Sequence, residues 1–111
     1  MRPEIPAIES IRHVHLVAIC STAMGSLACM LVDRGFRVTG SDTDAYPPMS
    51  DQLRAAGIEV QKGFAPEHVL SDRPDLVVIG NVVRRENPEA RAAIDAGLPY
   101  GSFCDAIHHF F

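Results

Sequence analysis

The run Asp75-Leu76-Val77-Val78-Ile79-Gly80 constrains the fold more than any other part of this sequence. It is continuously apolar rather than alternating. A strand of that kind belongs in a parallel sheet with helices over both faces. The rest of the chain fits the same scheme. His13-Val14-His15-Leu16-Val17-Ala18-Ile19 reads as a first buried strand, and Met24, Leu27, Ala28 and Leu31 mark one face of a helix over residues 24–34. Gly35 follows, where a left-handed helix cap is easiest for glycine. Phe36-Arg37-Val38-Thr39-Gly40 is a second strand. A turn-rich loop covers residues 42–48, and Ser50 is placed to cap a short helix through Ala56, closed by Gly57. Ile58-Glu59-Val60 is a third strand, and residues 66–70 a helical turn or two.

After the apolar strand, Asn87-Pro88-Glu89 is a strong helix start, in which Asn caps, Pro fills the first turn and Glu complements the helix dipole. That helix stops at Gly97. Leu98-Pro99-Tyr100 is a last short strand, and Ser102 with Asp105 forms a capping box for a helix whose apolar face is Phe103, Ile107, Phe110 and Phe111. The expected architecture is α/β and Rossmann-like: an open, mostly parallel sheet of about five strands with helices on both faces. The chain ends on two phenylalanines inside an apolar helix, which points to a piece of a longer protein.

Composition excludes several classes of function. The chain has 111 residues, 47% of them hydrophobic, which suits one domain with a packed core. A net charge of −4 offers no electrostatic case for nucleic acid or an anionic membrane. No apolar run approaches the length of a membrane span, and the first ten residues lack the basic start and apolar stretch of a secretory signal. Cys20, Cys29 and Cys104 are odd in number and lack metal-type spacing, so they read as reduced thiols of a cytoplasmic protein.

In an open α/β sheet, ligands sit beyond the carboxyl ends of the strands. The first strand–helix turn here is Ala18-Ile19-Cys20-Ser21-Thr22-Ala23-Met24-Gly25-Ser26. Small residues let the backbone turn tightly and present helix-start amides to a phosphate, and Ser21 and Thr22 add hydroxyl donors. The glycine fingerprint of dinucleotide folds is absent, so an ordinary tight turn remains an equal reading. Asp42, about twenty residues beyond that turn, is placed to accept from a ribose hydroxyl or simply to cap the next turn with Ser41. Asn81, after the strongest strand, has a side-chain amide suited to phosphate, sugar or base. Arg84 and Arg85 follow it, and one of them is able to meet phosphate through a bidentate contact. Tyr46 and the prolines after it make a stiff loop near Asp42. Cys20 reads as a small buried residue at a helix start. His13 and His15 fall at the opposite end of the first strand from the ligand edge, which favours structural or surface roles. No histidine pair has a partner set for a metal site.

These residues resemble the first domain of the Mur ligases. The segment Ile19-Cys20-Ser21-Thr22-Ala23-Met24-Gly25-Ser26-Leu27-Ala28 is similar to the family's first loop. Val38-Thr39-Gly40-Ser41-Asp42, Tyr46-Pro47-Pro48-Met49-Ser50, Val78-Ile79-Gly80-Asn81 and Asn87-Pro88 follow in the family's order. The Tyr-Pro-Pro-Met-Ser segment is the most specific. It resembles the branch that joins a recycled murein peptide to UDP-N-acetylmuramate, with the L-alanine-adding branch the close alternative. The resemblance implies that residues 13–111 form an amino-terminal, UDP-sugar-binding domain after an extension over 1–12. It also implies that the central ATP-binding and the carboxy-terminal domains lie outside these residues.

The resemblance assigns the UDP-sugar to Ser21, Thr22, Ala23, Met24, Gly25, Ser41, Asp42, Tyr46, Asn81, Arg84 and His108, the last as a lining of the substrate cleft. It assigns no catalytic or metal-binding residue. ATP and Mg2+ would serve the whole enzyme, and the sequence holds no G-x-x-x-x-G-K-[ST] to cradle ATP here. Family members commonly carry glycine where this chain has Ala18, Ser21 and Ser26. Alanine or serine fits there at negative φ and is strained at positive φ, so reduced nucleotide affinity is expected. A nicotinamide-binding domain and a non-catalytic module with a decayed site stay open beside the ligase reading.

Overall fold

The computed structural model describes residues 5–43, 47, 49–80 and 83–111. A short 3-10 turn at Ile8–Ser10 precedes β1 (His13–Val17), α1 (Thr22–Asp33), β2 (Arg37–Asp42), α2 (Met49–Ala55) and β3 (Glu59–Lys62). There follow α3 (Glu67–Leu70), β4 (Leu76–Ile79), α4 (Pro88–Asp95), β5 (Tyr100–Ser102) and α5 (Phe103–Phe110). The five strands form one sheet in the order β3-β2-β1-β4-β5. Every pairing is parallel, with Val17 opposite Ser41 on one side and Ile79 on the other. The sheet is therefore wholly rather than mostly parallel. The direction of winding reverses between β1 and β4, and the carboxyl ends of those strands mark the switch point where such sheets bind ligands.

Local chemistry explains where the elements begin and end. The Asn87 side chain accepts from the Glu89 and Ala90 amides at 2.9 and 3.3 Å, and Pro88 takes the first helical position. Ser102 and Asp105 form the expected capping box, with reciprocal bonds of 2.9 and 3.1 Å. Ser102 also ends β5, which runs two residues later than the sequence predicts. α1 begins at Thr22, earlier than expected, because Ser21 caps it by accepting from Met24 N at 3.4 Å. Ser50 is not a cap: α2 starts at Met49, which puts Ser50 inside the helix.

The sheet separates two cores. Val14, Leu16, Leu76 and Val78 pack under α1, α2 and α5 with Leu27, Leu31, Leu53, Ala106 and Phe110. Val17 and Val77 pack under α3 and α4 with Val69, Ala93 and Leu98. Gly40 is required by contact rather than by conformation: a Cβ there would lie 2.4 Å from Ile19 Cδ1 and 2.7 Å from its Cβ. At the amino edge, Asp75 accepts from the Arg12 and His13 amides at 2.9 and 3.0 Å, and these bonds hold its carboxyl below the usual range.

Candidate functional site at the carboxyl edge of the sheet

The turn after β1 is tied to β2 before it reaches α1. Ala18 N and Ile19 N both donate to Ser41 O, at 2.8 and 3.1 Å, and Cys20 N donates to Asp42 Oδ2 at 2.9 Å. Ala18 makes this turn at φ +67°, a left-handed conformation that costs an alanine about 1–2 kcal/mol. Of the three residues standing where glycine was expected, only Ala18 is strained. Ser21 has φ −68° and Ser26 is helical. Ser21, Thr22 and Ala23 are exposed at the start of α1. Helix geometry supplies no intrahelical partner for the Thr22 and Ala23 amides, which leaves them suited to an anion.

Two depressions flank the loop that follows β4. The larger, of about 480 Å3, lies between the ends of β1 and β2 and the starts of α3 and α4, with Ala18, Asp42, Phe64, Arg84 and Asn87 in its walls. The smaller, of about 230 Å3, lies between β4, β5 and α4 and is lined by Gly80, Arg84, Arg85, Tyr100 and Ser102. Arg84 borders both and is exposed, so its guanidinium is able to serve either. Asp42 caps the turn at its own strand end, where it accepts from Cys20 N and from Thr43 N, the latter at 2.7 Å, and it lies at the larger crevice. A carboxylate has about four acceptor positions, so these bonds leave room for a ligand hydroxyl.

Other expected residues are placed elsewhere. Met24 is 2% exposed in the core, and Gly25 is buried against α2, where a Cβ would strike Met49 Sδ at 2.2 Å. Met24 lies on the buried face of α1 with Leu27, Ala28 and Leu31, and Gly25 adjoins it against α2, so neither faces the crevice. Ser41 is fully buried on the α3 and α4 face, because neighbours in a strand point to opposite sides and Asp42 takes the crevice. His108 is exposed on α5, which starts at the carboxyl edge and runs back to the amino edge. There His109 Nε2 donates to Pro6 O at 2.8 Å and the Phe110 ring meets Phe36 at 5.1 Å. His108 therefore lies away from the crevice. Tyr46 and Asn81 lie outside the described residues. Phe64, Glu86 and Asn87 are crevice residues that sequence reasoning missed. Asn87 was legible only as a helix cap, and nothing local marks the other two.

His13 and His15 are structural, but neither is on the surface. His15 and Glu89, 1% and 0% exposed, meet at 2.7 Å through Nε2 and Oε1, and His68 Nδ1 lies 2.7 Å from Glu89 Oε2. Among the described residues no group of three or more His, Cys, Asp or Glu side chains is arranged to hold a metal ion, and no helix is long and apolar enough to cross a membrane.

A wholly parallel sheet wound from a central switch point, with a helix start, an acid and an arginine loop at its carboxyl edge, defines a domain of the Rossmann-like class. The model of the Mur ligase family, catalytic domain, matches residues 13–111, and the chain belongs to that family. It is 42% identical over 97 residues to the UDP-N-acetylmuramate–L-alanyl-gamma-D-glutamyl-meso-2,6-diaminoheptandioate ligase of Escherichia coli K12, covering 87% of this chain and 21% of that relative. It is 32% identical to the UDP-N-acetylmuramate–L-alanine ligase of Lactobacillus acidophilus, covering 90% of this chain and 23% of that one. The crystal structure of a murein peptide ligase from Psychrobacter arcticus superposes with a TM-score of 0.85 at 40% identity, over 89% of this chain and 20% of that one. The chain thus spans about a fifth of the length of these relatives.

Proposed function

We propose that residues 13–111 are the amino-terminal, UDP-N-acetylmuramate-binding domain of a cytoplasmic, ATP-dependent ligase that joins a murein peptide to the sugar's carboxylate, with residues 1–12 as an extension. The observation that carries this reading is the crevice at the switch point, where Ala18, Asp42 and Arg84 converge in a chain of this family. In this reading the Thr22 and Ala23 amides and the exposed Ser21 and Thr22 hydroxyls receive the diphosphate at the positive end of α1. Arg84 meets a phosphate oxygen pair, and the remaining acceptor positions of Asp42 take a ribose hydroxyl. Tyr46 and Asn81, outside the described residues, are assigned to the sugar nucleotide by the family resemblance alone. This chain binds and orients. ATP, Mg2+ and the bond-forming step belong to central and carboxy-terminal domains outside these residues. Identity of 42% to a peptide-adding relative, against 32% and 38% to two L-alanine-adding ones, favours the recycling branch.

Calorimetric titration of the chain with UDP-N-acetylmuramate, UDP and NAD tests the proposal. Heat with the two uridine ligands, at affinities on the order of millimolar, and none with NAD is the expected result. Selective NAD binding, or silence with all three, overturns it.

A further inference from the structure

The nucleotide reading makes no use of the buried carboxylate of Glu89. Each donor that reaches it comes from a different segment. His15 of β1 donates to Oε1 and His68 of α3 to Oε2, both at 2.7 Å. The Ala65 amide donates to Oε2 at 3.2 Å, and the Ser41 hydroxyl of β2 lies between the two imidazoles, 3.4 Å from His15 Nε2 and 3.1 Å from His68 Nδ1. The chain of donors continues outward. His15 Nδ1 and His13 Nε2 each lie 2.8 Å from Thr39 Oγ1. A hydroxyl has one proton to give, so neutral imidazoles satisfy every partner in one direction: His13 to Thr39, Thr39 to His15, His15 to Glu89. Burial opposes the charged form of Glu89, yet the hydrogen bonds from His15 and His68 outweigh it and hold the carboxyl below its ordinary range.

The residues beside these bonds are crevice walls. Ala65 follows Phe64, and the Glu89 amide is capped by Asn87. Phe64 and Asn87 both line the larger crevice opposite Asp42, while Glu89 stands fully buried behind them. We propose that Glu89 is a positioning residue for that crevice: its carboxylate pins the turn at residues 64–65 and the start of α4 to β1 and β2, and so sets the wall formed by Phe64 and Asn87. The inference rests on the crevice being the nucleotide site, and the test keeps the two apart.

Amide exchange and chemical shifts at Ala65, Arg84 and Asn87 are followed by NMR in the 111-residue chain and in Glu89→Gln and Ser41→Ala, each then titrated with UDP. In Glu89→Gln the Ala65 amide should exchange at least about tenfold faster. The Arg84 and Asn87 amides should shift while Leu76 and Ala106 do not, and UDP should bind about tenfold more weakly. Ser41→Ala should show the same pattern at smaller size, and it carries the test if Glu89→Gln does not fold. Wall amides identical to the parent in a folded variant overturn the proposal, as does unchanged UDP affinity with a displaced wall. Displaced wall amides in a chain whose parent form ignores UDP support the positioning role and remove the nucleotide reading instead.

Discussion

The two faces of the sheet solve the burial problem in opposite ways, although the same strands supply both. Toward α1, α2 and α5, β1 presents Val14 and Leu16, and the core is apolar throughout. Toward α3 and α4 it presents His13, His15 and Val17, and β2 adds Thr39 and Ser41. That second face is just as buried over β1, yet part of its core is a hydrogen-bonded network closed by Glu89. An apolar core is nondirectional and tolerates small shifts, whereas a buried polar network holds only when every partner is in place. The ordered crevice wall rises from the polar face. The difference teaches that burial alone does not distinguish a scaffold face from one that sets geometry.

The comparison breaks most sharply at its two centres. Glu89→Ala leaves two imidazoles and an amide facing a void. At about 1–3 kcal/mol for each buried donor left without a partner, it should cost several kcal/mol in all, measured by denaturant unfolding. Leu16→Ala, at the matching depth of the other face, should cost about 2–5 kcal/mol through its cavity alone, leaving the Ala65 amide protected. Equal loss of that protection in both variants would erase the distinction.

Acid should separate the faces without mutation. The folded-state value of Glu89 lies below its unfolded one, so its stabilisation is complete above the ordinary carboxylate range and is lost as pH falls through the lower value. His13 acts earlier in the descent. Burial, and then the charge of Arg37, hold its imidazole below the ordinary value of 6.5, so stability begins to fall once pH drops below that value. Unfolding midpoints followed from about pH 8 to pH 3 should decline in these two stages, and the Leu16→Ala curve should run parallel to the parent. A flat profile between neutrality and the carboxylate range would count against the neutral His13.

Smaller effects sharpen the picture. Gly40→Ala drives a methyl group into Ile19 on the apolar face and should cost about 1–3 kcal/mol. Ile19→Ala in the same chain should recover part of that, which a double-mutant cycle would read. Ala18→Gly touches neither core and relaxes only the left-handed turn. It should raise stability by about 1 kcal/mol or less, since glycine also frees the unfolded chain. A loss of stability would mean that the Ala18 methyl group does more than tolerate its place.

Much of the fold was legible because its signals are local. The apolar run at 75–80, the Asn87-Pro88-Glu89 start and the Ser102 and Asp105 box each lie within a few residues, and each does what its spacing implies. Asp42 and Arg84 were legible for a related reason: both follow strands at the edge where parallel sheets bind ligands. The polar network was not, since His15 and Glu89 are 74 residues apart and Glu89 carries a sufficient local explanation as a helix-dipole residue. Histidines alternating through an otherwise apolar strand were the available clue. Ser41 went astray because strand alternation does not say which of two adjoining polar residues faces the ligand. Met24 did so although its spacing with Leu27, Ala28 and Leu31 already marks the buried face of α1. Gly25 did so because nothing local shows that Met49 of α2 packs against it.

Ser102 is at once the last residue of β5 and the cap of α5, so no connecting residue lies between strand and helix. Such a joint has no slack. One inserted residue would turn α5 by about 100° about its axis, carrying Ala106 and Phe110 off the sheet and undoing the fit of Phe110 to Phe36. Change in chain length is barred at this corner, and only substitutions that preserve the cap can be accepted there.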